Sequence, residues 1–208
     1  MKICAVSPWT AASADEILGF LREAVADLVV LPGECENTPP LREGQGAIAR
    51  GVSVFIQQGR SKAEATSYPV TRDRAHSMPR QIFAKSPTSG DMDNLARAWP
   101  DRTFPIRSRK VTFAICGEIN GFDPDGQAKH GRVLPFDILA NPVHTVMGRW
   151  QHLGPKLEAL SDGKVVIHVA NNDRNHSRLT TDVRIYVNRS LQVPTMQRGK
   201  LKLCECEI

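Results

Sequence analysis

Apolar residues in this chain come in short continuous runs that stop abruptly on polar ones. Residues 2–6 (KICAV) read as a first strand, and a helix is expected next. Ser13 and Glu16 stand three apart as a capping-box pair, and Ile17, Leu18, Leu21 and Val25 recur at helical spacing. Leu28 to Leu31 then form an unbroken apolar run halted by Pro32-Gly33, which gives the order β-α-β. Further strands are predicted over residues 52–56 (VSVFI), around Ile82 and Phe83, over 111–115 (VTFAI), 138–140 (ILA), 165–170 (VVIHVA), 183–187 (VRIYV) and 200–208 (KLKLCECEI). The last of these alternates in two phases, Leu201/Leu203 and then Cys204/Cys206/Ile208, so a bulge is expected near Leu203. Residues 91–101 (DMDNLARAWPD) predict a helical turn or two cut short by Pro100, and residues 156–163 (KLEALSDG) a helix end with Gly163 past it. The polar stretch from Gly59 to Ser77 reads as a loop.

Four apolar runs share one feature. Leu31 is followed by Pro-Gly-Glu, Ile115 by Cys-Gly-Glu, Ala140 by Asn-Pro and Ala170 by Asn-Asn-Asp. In α/β sheets, ligands bind outside the carboxyl ends of strands, where residues of this kind converge.

Composition narrows the classes. With 208 residues, 41% apolar and 24% charged, the chain is expected to fold as a single domain over residues 1–208. The net charge of +5 comes from Lys and Arg scattered along the sequence, and only 6% of residues are aromatic, so neither a basic stripe nor a stacking platform for nucleic acid is indicated. No apolar run approaches the ~20 residues needed to span a membrane, and the N-terminus lacks the apolar core of a signal peptide. A cytoplasmic protein is expected. Its five cysteines, an odd number, then read as thiols rather than a disulfide framework. Cys204 and Cys206 make half a metal site that no histidine spacing completes, so no metal is expected.

Candidate chemistry centres on Cys116. A cysteine at a strand end before an Asn120-Gly121 turn is commonly a small core residue. As a nucleophile it must act as thiolate, which calls for a base and nearby positive charge. Glu34 follows the run ending at Leu31 and could be that base, its pKa raised in a partly desolvated crevice; Lys85 follows QIFA and could stabilise an oxyanion. His144, in NPVHT, also follows a strand and competes with Glu34 as the partner of Cys116. Gly117 leaves room for a substrate and offers its backbone N–H as an oxyanion donor, and Glu118 completes the motif. Arg149 and Arg174 stand near strand ends and could bind a carboxylate on the substrate.

With these residues in place the chain resembles the nitrilase superfamily, the carbon–nitrogen hydrolases. ADLVVLPGE is similar to the strand that carries the family's base, QIFAKS to the segment that carries its lysine, and VTFAICGEINGF to its nucleophile strand. DILANPVHT and KVVIHVANND are similar to the two strands that follow, and residues 184–208 to the closing hairpin and final strand. The resemblance implies a four-layer α-β-β-α sandwich, no cofactor or metal, frequent homo-oligomers, and a small-molecule amide or nitrile as substrate. It makes Glu34, Lys85 and Cys116 the catalytic set; from their positions, Gly117, Glu118 and His144 are the substrate-binding candidates. The chain departs from the family in two places. Gly33 separates proline from glutamate, so Glu36 is a possible substitute base, and no glutamate lies between Lys85 and Cys116. A non-catalytic binding protein on the same scaffold is the alternative.

Overall fold

A computed structural model describes residues 1–8, 12–33, 38–58, 65–144, 150–170, 183–192 and 196–208. In chain order the elements begin with β1 (Lys2–Pro8), α1 (Ala14–Glu23), β2 (Leu28–Val30), α2 (Leu41–Ala47), β3 (Ser53–Gln58) and β4 (Thr66–Val70). There follow α3 (Ser89–Ala98), β5 (Thr103–Ile106), β6 (Arg109–Phe113), β7 (Ile138–Val143), α4 (Trp150–Leu160), β8 (Val165–Ala170), β9 (Val183–Val187), β10 (Ser190–Gln192), β11 (Met196–Arg198) and β12 (Leu201–Glu207).

The strands form two six-stranded sheets, ordered β11-β12-β1-β2-β3-β4 and β10-β9-β8-β7-β6-β5. Each has a central trio of parallel strands, β1-β2-β3 in one and β6-β7-β8 in the other, flanked by antiparallel neighbours. Between the sheets lies a shared core that includes Ile3, Val30, Phe55, Phe113, Ala140, Ile167 and Cys204; Phe55 and Phe113 stack across it at 5.0 Å. The outer face of the first sheet is covered by α1 and α2, and that of the second by α3 and α4. This is the four-layer α-β-β-α sandwich of the nitrilase type. Because both faces of each central strand are covered, these strands read as unbroken apolar runs.

Helix α1 begins at the expected box, with Glu16 N–H donating to Ser13 Oγ at 3.2 Å and Ser13 N–H to Glu16 Oε2 at 2.8 Å. Helix α3 is longer than the turn or two expected. Thr88 and Asp91 cap it in the same way, and Pro100 lies past its end, where it opens a 3-10 turn. Three further expectations are corrected. The pairing of β12 with β1 runs without interruption from Leu201 to Glu207, so there is no bulge there: Leu201 and Leu203 face α1, while Cys204 and Cys206 face the other sheet. Part of the loop expected over 59–77 is the strand β4, which lies at a sheet edge where Pro69 is tolerated. The strand expected around Ile82 and Phe83 is irregular chain, because side chains rather than a neighbouring strand take up its backbone groups.

Candidate functional site

The carboxyl ends of both parallel trios meet at one end of the sandwich. Ser7 Oγ donates to the Ala170 carbonyl at 2.8 Å, and Gly33 N–H to the Val143 carbonyl at 3.3 Å, so each bond ties a strand end of one sheet to a strand end of the other. Cys116 packs there against Ile115, Val143 and Ala170. Strand β6 leaves its neighbour just before this point. Ala114 N–H still donates to the Ala140 carbonyl at 2.9 Å, after which the Asn141 side chain takes over, its Nδ2 donating to the Ala114 carbonyl at 2.6 Å and the Cys116 carbonyl at 2.9 Å. Cys116 opens a 3-10 turn running to Gly121, at φ 49°, a left-handed conformation that non-glycine residues adopt only when their surroundings hold them there.

Glu118 is the anchor of that turn. Its side chain is wholly buried; Oε2 accepts from Ile115 N–H at 2.8 Å and from the Arg102 guanidinium, and Oε1 from Ile82 N–H at 2.7 Å. Arg102, also wholly buried, donates in addition to the Arg80 carbonyl. Burial pushes the Glu118 carboxyl above its ordinary value, and Arg102 with the two N–H groups pulls against that push. Each of the three groups bonded to its oxygens is a donor, which suits the carboxylate form. Glu118 therefore holds residues 80–82 against the Cys116 turn. Two residues on, the contact tightens: a Cβ at Gly117 would lie 2.3 Å from the Ala84 carbonyl oxygen, and Asn120 Nδ2 donates to that oxygen at 3.2 Å. Lys85, exposed, is the next residue. The Lys85 segment and the Cys116 turn are thus pressed together, with glycine required at the contact.

His144, the residue after β7, is buried, with Nε2 2.9 Å from Gln57 Oε1; Gln57 Nε2 donates to Ser67 Oγ at 3.1 Å. Since that amide orientation leaves Oε1 to accept, His144 Nε2–H is the donor. Both side chains stand against Gly33, where a Cβ would fall 2.5 Å from Gln57 Oε1 and 2.5 Å from His144 Cδ2. Glu34 and Glu36 lie outside the described residues, as do Arg149 and Arg174.

Behind the turn sits His168, with no exposed surface, its Nδ1 2.8 Å from Asn141 Oδ1. Burial, aided by the positive charge of Arg184, lowers its pKa to about 3, so the ring is neutral. Asn141, His168, Gln57 and Arg102 are the residues that the sequence reading missed. A histidine inside the apolar run VVIHVA was a legible sign for His168, as was the Asn-Pro strand end for Asn141; nothing local marked Arg102. Cys204 and Cys206 face the core, and burial first of all pushes both thiols up to about 11. Among the described residues no group of three or more His, Cys, Asp or Glu is placed to hold a metal ion, and no helix is long and apolar enough to cross a membrane.

No protein-family model and no curated protein sequence matches the chain. Solved structures do match its fold. A CN-hydrolase superfamily protein from Xanthomonas campestris, with an arsenic adduct in its active site, is 13% identical with a TM-score of 0.61 over 100% of this chain and 90% of that one. The NitN amidase of Nesterenkonia sp. AN1 is 12% identical with a TM-score of 0.66 over 100% of this chain and 92% of its own. A variant of the Nesterenkonia amidase that carries the Michael adduct of acrylamide on its active-site cysteine gives 13% identity and a TM-score of 0.66 over 100% and 93%. The chain has the fold of these carbon–nitrogen hydrolases.

Proposed function

We propose that this chain is a diverged carbon–nitrogen hydrolase that cleaves a small non-peptide amide, with amides preferred over nitriles. Cys116 is the nucleophile, Glu34 the general base and Lys85 the cation beside the developing oxyanion, with Gly117 N–H as a second donor to it. The observation that carries this reading is the contact of Gly117 with the Ala84 backbone. It puts the segment bearing Lys85 directly against the turn bearing Cys116, at the sheet end where strand ends converge. The solved structures of the same fold support the reaction class; complexes of the Nesterenkonia amidase with acrylamide and with butyramide suggest short aliphatic amides as first substrates.

In the reaction, the base takes the thiol proton and the thiolate sulfur adds to the amide carbon, moving the carbonyl π pair onto oxygen. Collapse of this adduct expels the nitrogen, which leaves as ammonia or amine after receiving the proton. The resulting thioester is attacked by water, whose proton the base accepts, and the acid departs as the thiolate is regenerated. No cofactor enters this sequence. We read residues 1–208 as one domain acting in the cytoplasm as a homo-oligomer.

A second reading exchanges the base. The space beside Gly33, where any side chain following Pro32 would begin, is filled by His144 and Gln57, and the hydrogen bond from His144 Nε2 to Gln57 orients the ring at this strand end. In that case Glu34→Gln leaves turnover intact and His144→Gln abolishes it; the opposite result supports Glu34.

The test is ammonia release from a panel of short amides and nitriles, with Cys116→Ala as the blank. Turnover that falls at least ~10³-fold in the blank is expected. Release from no compound overturns the reading in favour of a non-catalytic binding protein, and release that survives Cys116→Ala overturns Cys116 as the nucleophile.

A further inference from the structure

Cys116 and Gly117 are joined by a trans peptide, as no cis bond occurs among the described residues. In a trans peptide the carbonyl and the following N–H point in opposite directions. Whatever grips the Cys116 carbonyl from behind therefore aims Gly117 N–H forward. That grip is Asn141. Its two amide hydrogens go to the Ala114 and Cys116 carbonyls, which leaves Oδ1 to accept, and the buried His168 Nδ1–H supplies the donor. Each donor and acceptor in this chain is fixed by the next: a neutral His168 with its proton on Nδ1 permits only one orientation of the Asn141 amide. The opposite orientation would set Oδ1 against two carbonyl oxygens. The other ring nitrogen, His168 Nε2, is buried and has no hydrogen-bond partner among the described residues, which is consistent with a ring selected for its single donor. A second restraint acts from the front, where Gly117 is wedged against Ala84.

We infer that Asn141, locked by His168, is a positioning residue that orients the Cys116–Gly117 peptide, so that Gly117 N–H meets the oxyanion formed when Cys116 attacks. The inference rests on the hydrolase reading above. It goes beyond it in assigning a role to two buried residues, on β7 and β8, whose hydrogen bonds run to the Ala114 and Cys116 carbonyls and to each other.

The test compares Asn141→Asp, His168→Gln and His168→Leu in the full chain, using an amide that wild-type protein turns over. Asn141→Asp keeps the shape and turns the two donors into acceptors; kcat is expected to fall about 10²-fold with KM little changed, as for a catalytic group displaced by about an ångström. Alkylation of Cys116 by iodoacetamide forms no oxyanion, so its rate is expected to stay within about threefold of wild type. His168→Gln, which can still present an N–H to Asn141, is expected to keep most of kcat, and His168→Leu to lose it as Asn141→Asp does. An unchanged kcat in Asn141→Asp overturns the inference. So does a parallel loss of kcat, alkylation rate and melting temperature, which would mean support of the fold alone. If wild-type protein turns over no amide or nitrile at all, the hydrolase reading has failed and this inference falls with it.

Discussion

Arg102 and Glu118, sixteen residues apart, meet as an ion pair in which neither side chain has any exposed surface. Removing one partner of such a pair leaves an uncompensated buried charge and costs about 3–5 kcal/mol. Arg102→Met is therefore expected to lower the urea midpoint sharply. In the double variant Arg102→Met/Glu118→Leu, part of the stability returns because no charge remains buried. Amide turnover does not return, since the N–H groups of Ile82 and Ile115 have now lost their acceptor and residues 80–85 are no longer held to the Cys116 turn. Urea titration and ammonia release on the same three proteins check both halves. Recovery of turnover in the double variant would show that Glu118 does not position the Lys85 segment.

Gly117→Ala is expected to be far more harmful than its size suggests. The added methyl would lie 2.3 to 2.6 Å from three backbone atoms of Ala84, and a backbone cannot give way as the tip of a side chain can. The Lys85 segment must move. A displacement of about an ångström is expected to lower kcat about 10²-fold. Gly46→Ala, in α2, is the control: its Cβ meets nothing within 4 Å, and the helix gains up to about 1 kcal/mol. If the two variants match in turnover and stability, the tight contact at Gly117 is not part of the site.

The two glycine variants also mark the limit of what the sequence discloses. The order of the central strands was legible because strands covered on both faces must be apolar throughout, and the break at Cys116 is abrupt; β7, by contrast, runs on through Asn141 to Val143, past the Asn-Pro that looked like its end. The same physics explains the error at residues 201–208, where two buried faces of one regular strand looked like a change of phase. Helix α2 leaves little trace in the sequence because Gly44 and Gly46 break the helical signature of LREGQGA, and the cap of α3 is a Thr-Asp pair, Thr88 and Asp91, rather than the Ser-Glu pair of α1. The grips on the Cys116 turn were hidden for a different reason. Arg102, Asn141 and His168 act on it from 14, 25 and 52 residues away in sequence, and local spacing says nothing of such partners.

The thiols are expected to separate cleanly. Burial pushes Cys204 and Cys206 up to about 11 and raises Cys4 still further, so at pH 7 only about one molecule in 10⁴ carries a thiolate at either C-terminal site. An activated Cys116 is expected to react with iodoacetamide at least ~10²-fold faster than these three, read by mass spectrometry of peptides after timed quenching. Equal labelling of the four would count against a nucleophile at Cys116.

Stability should carry the signature of the buried His168. In the folded protein the ring's pKa is lowered to about 3, against an ordinary value of 6.5, so between these values the unfolded chain holds the extra proton. The stabilisation this represents is complete above pH 6.5 and is lost as the pH falls toward 3. Carboxylates also titrate in this range, but they are common to wild type and His168→Gln, so the difference in unfolding free energy between the two proteins isolates the histidine. That difference is expected to shift against the wild type by about 2 kcal/mol between pH 7 and pH 5, because protonation of the unfolded chain favours unfolding only where His168 is present. A difference that stays constant from pH 7 to pH 5 would mean that His168 binds its proton equally in both states. The fixed tautomer that holds Asn141, and with it the Cys116 carbonyl, would then lose its basis.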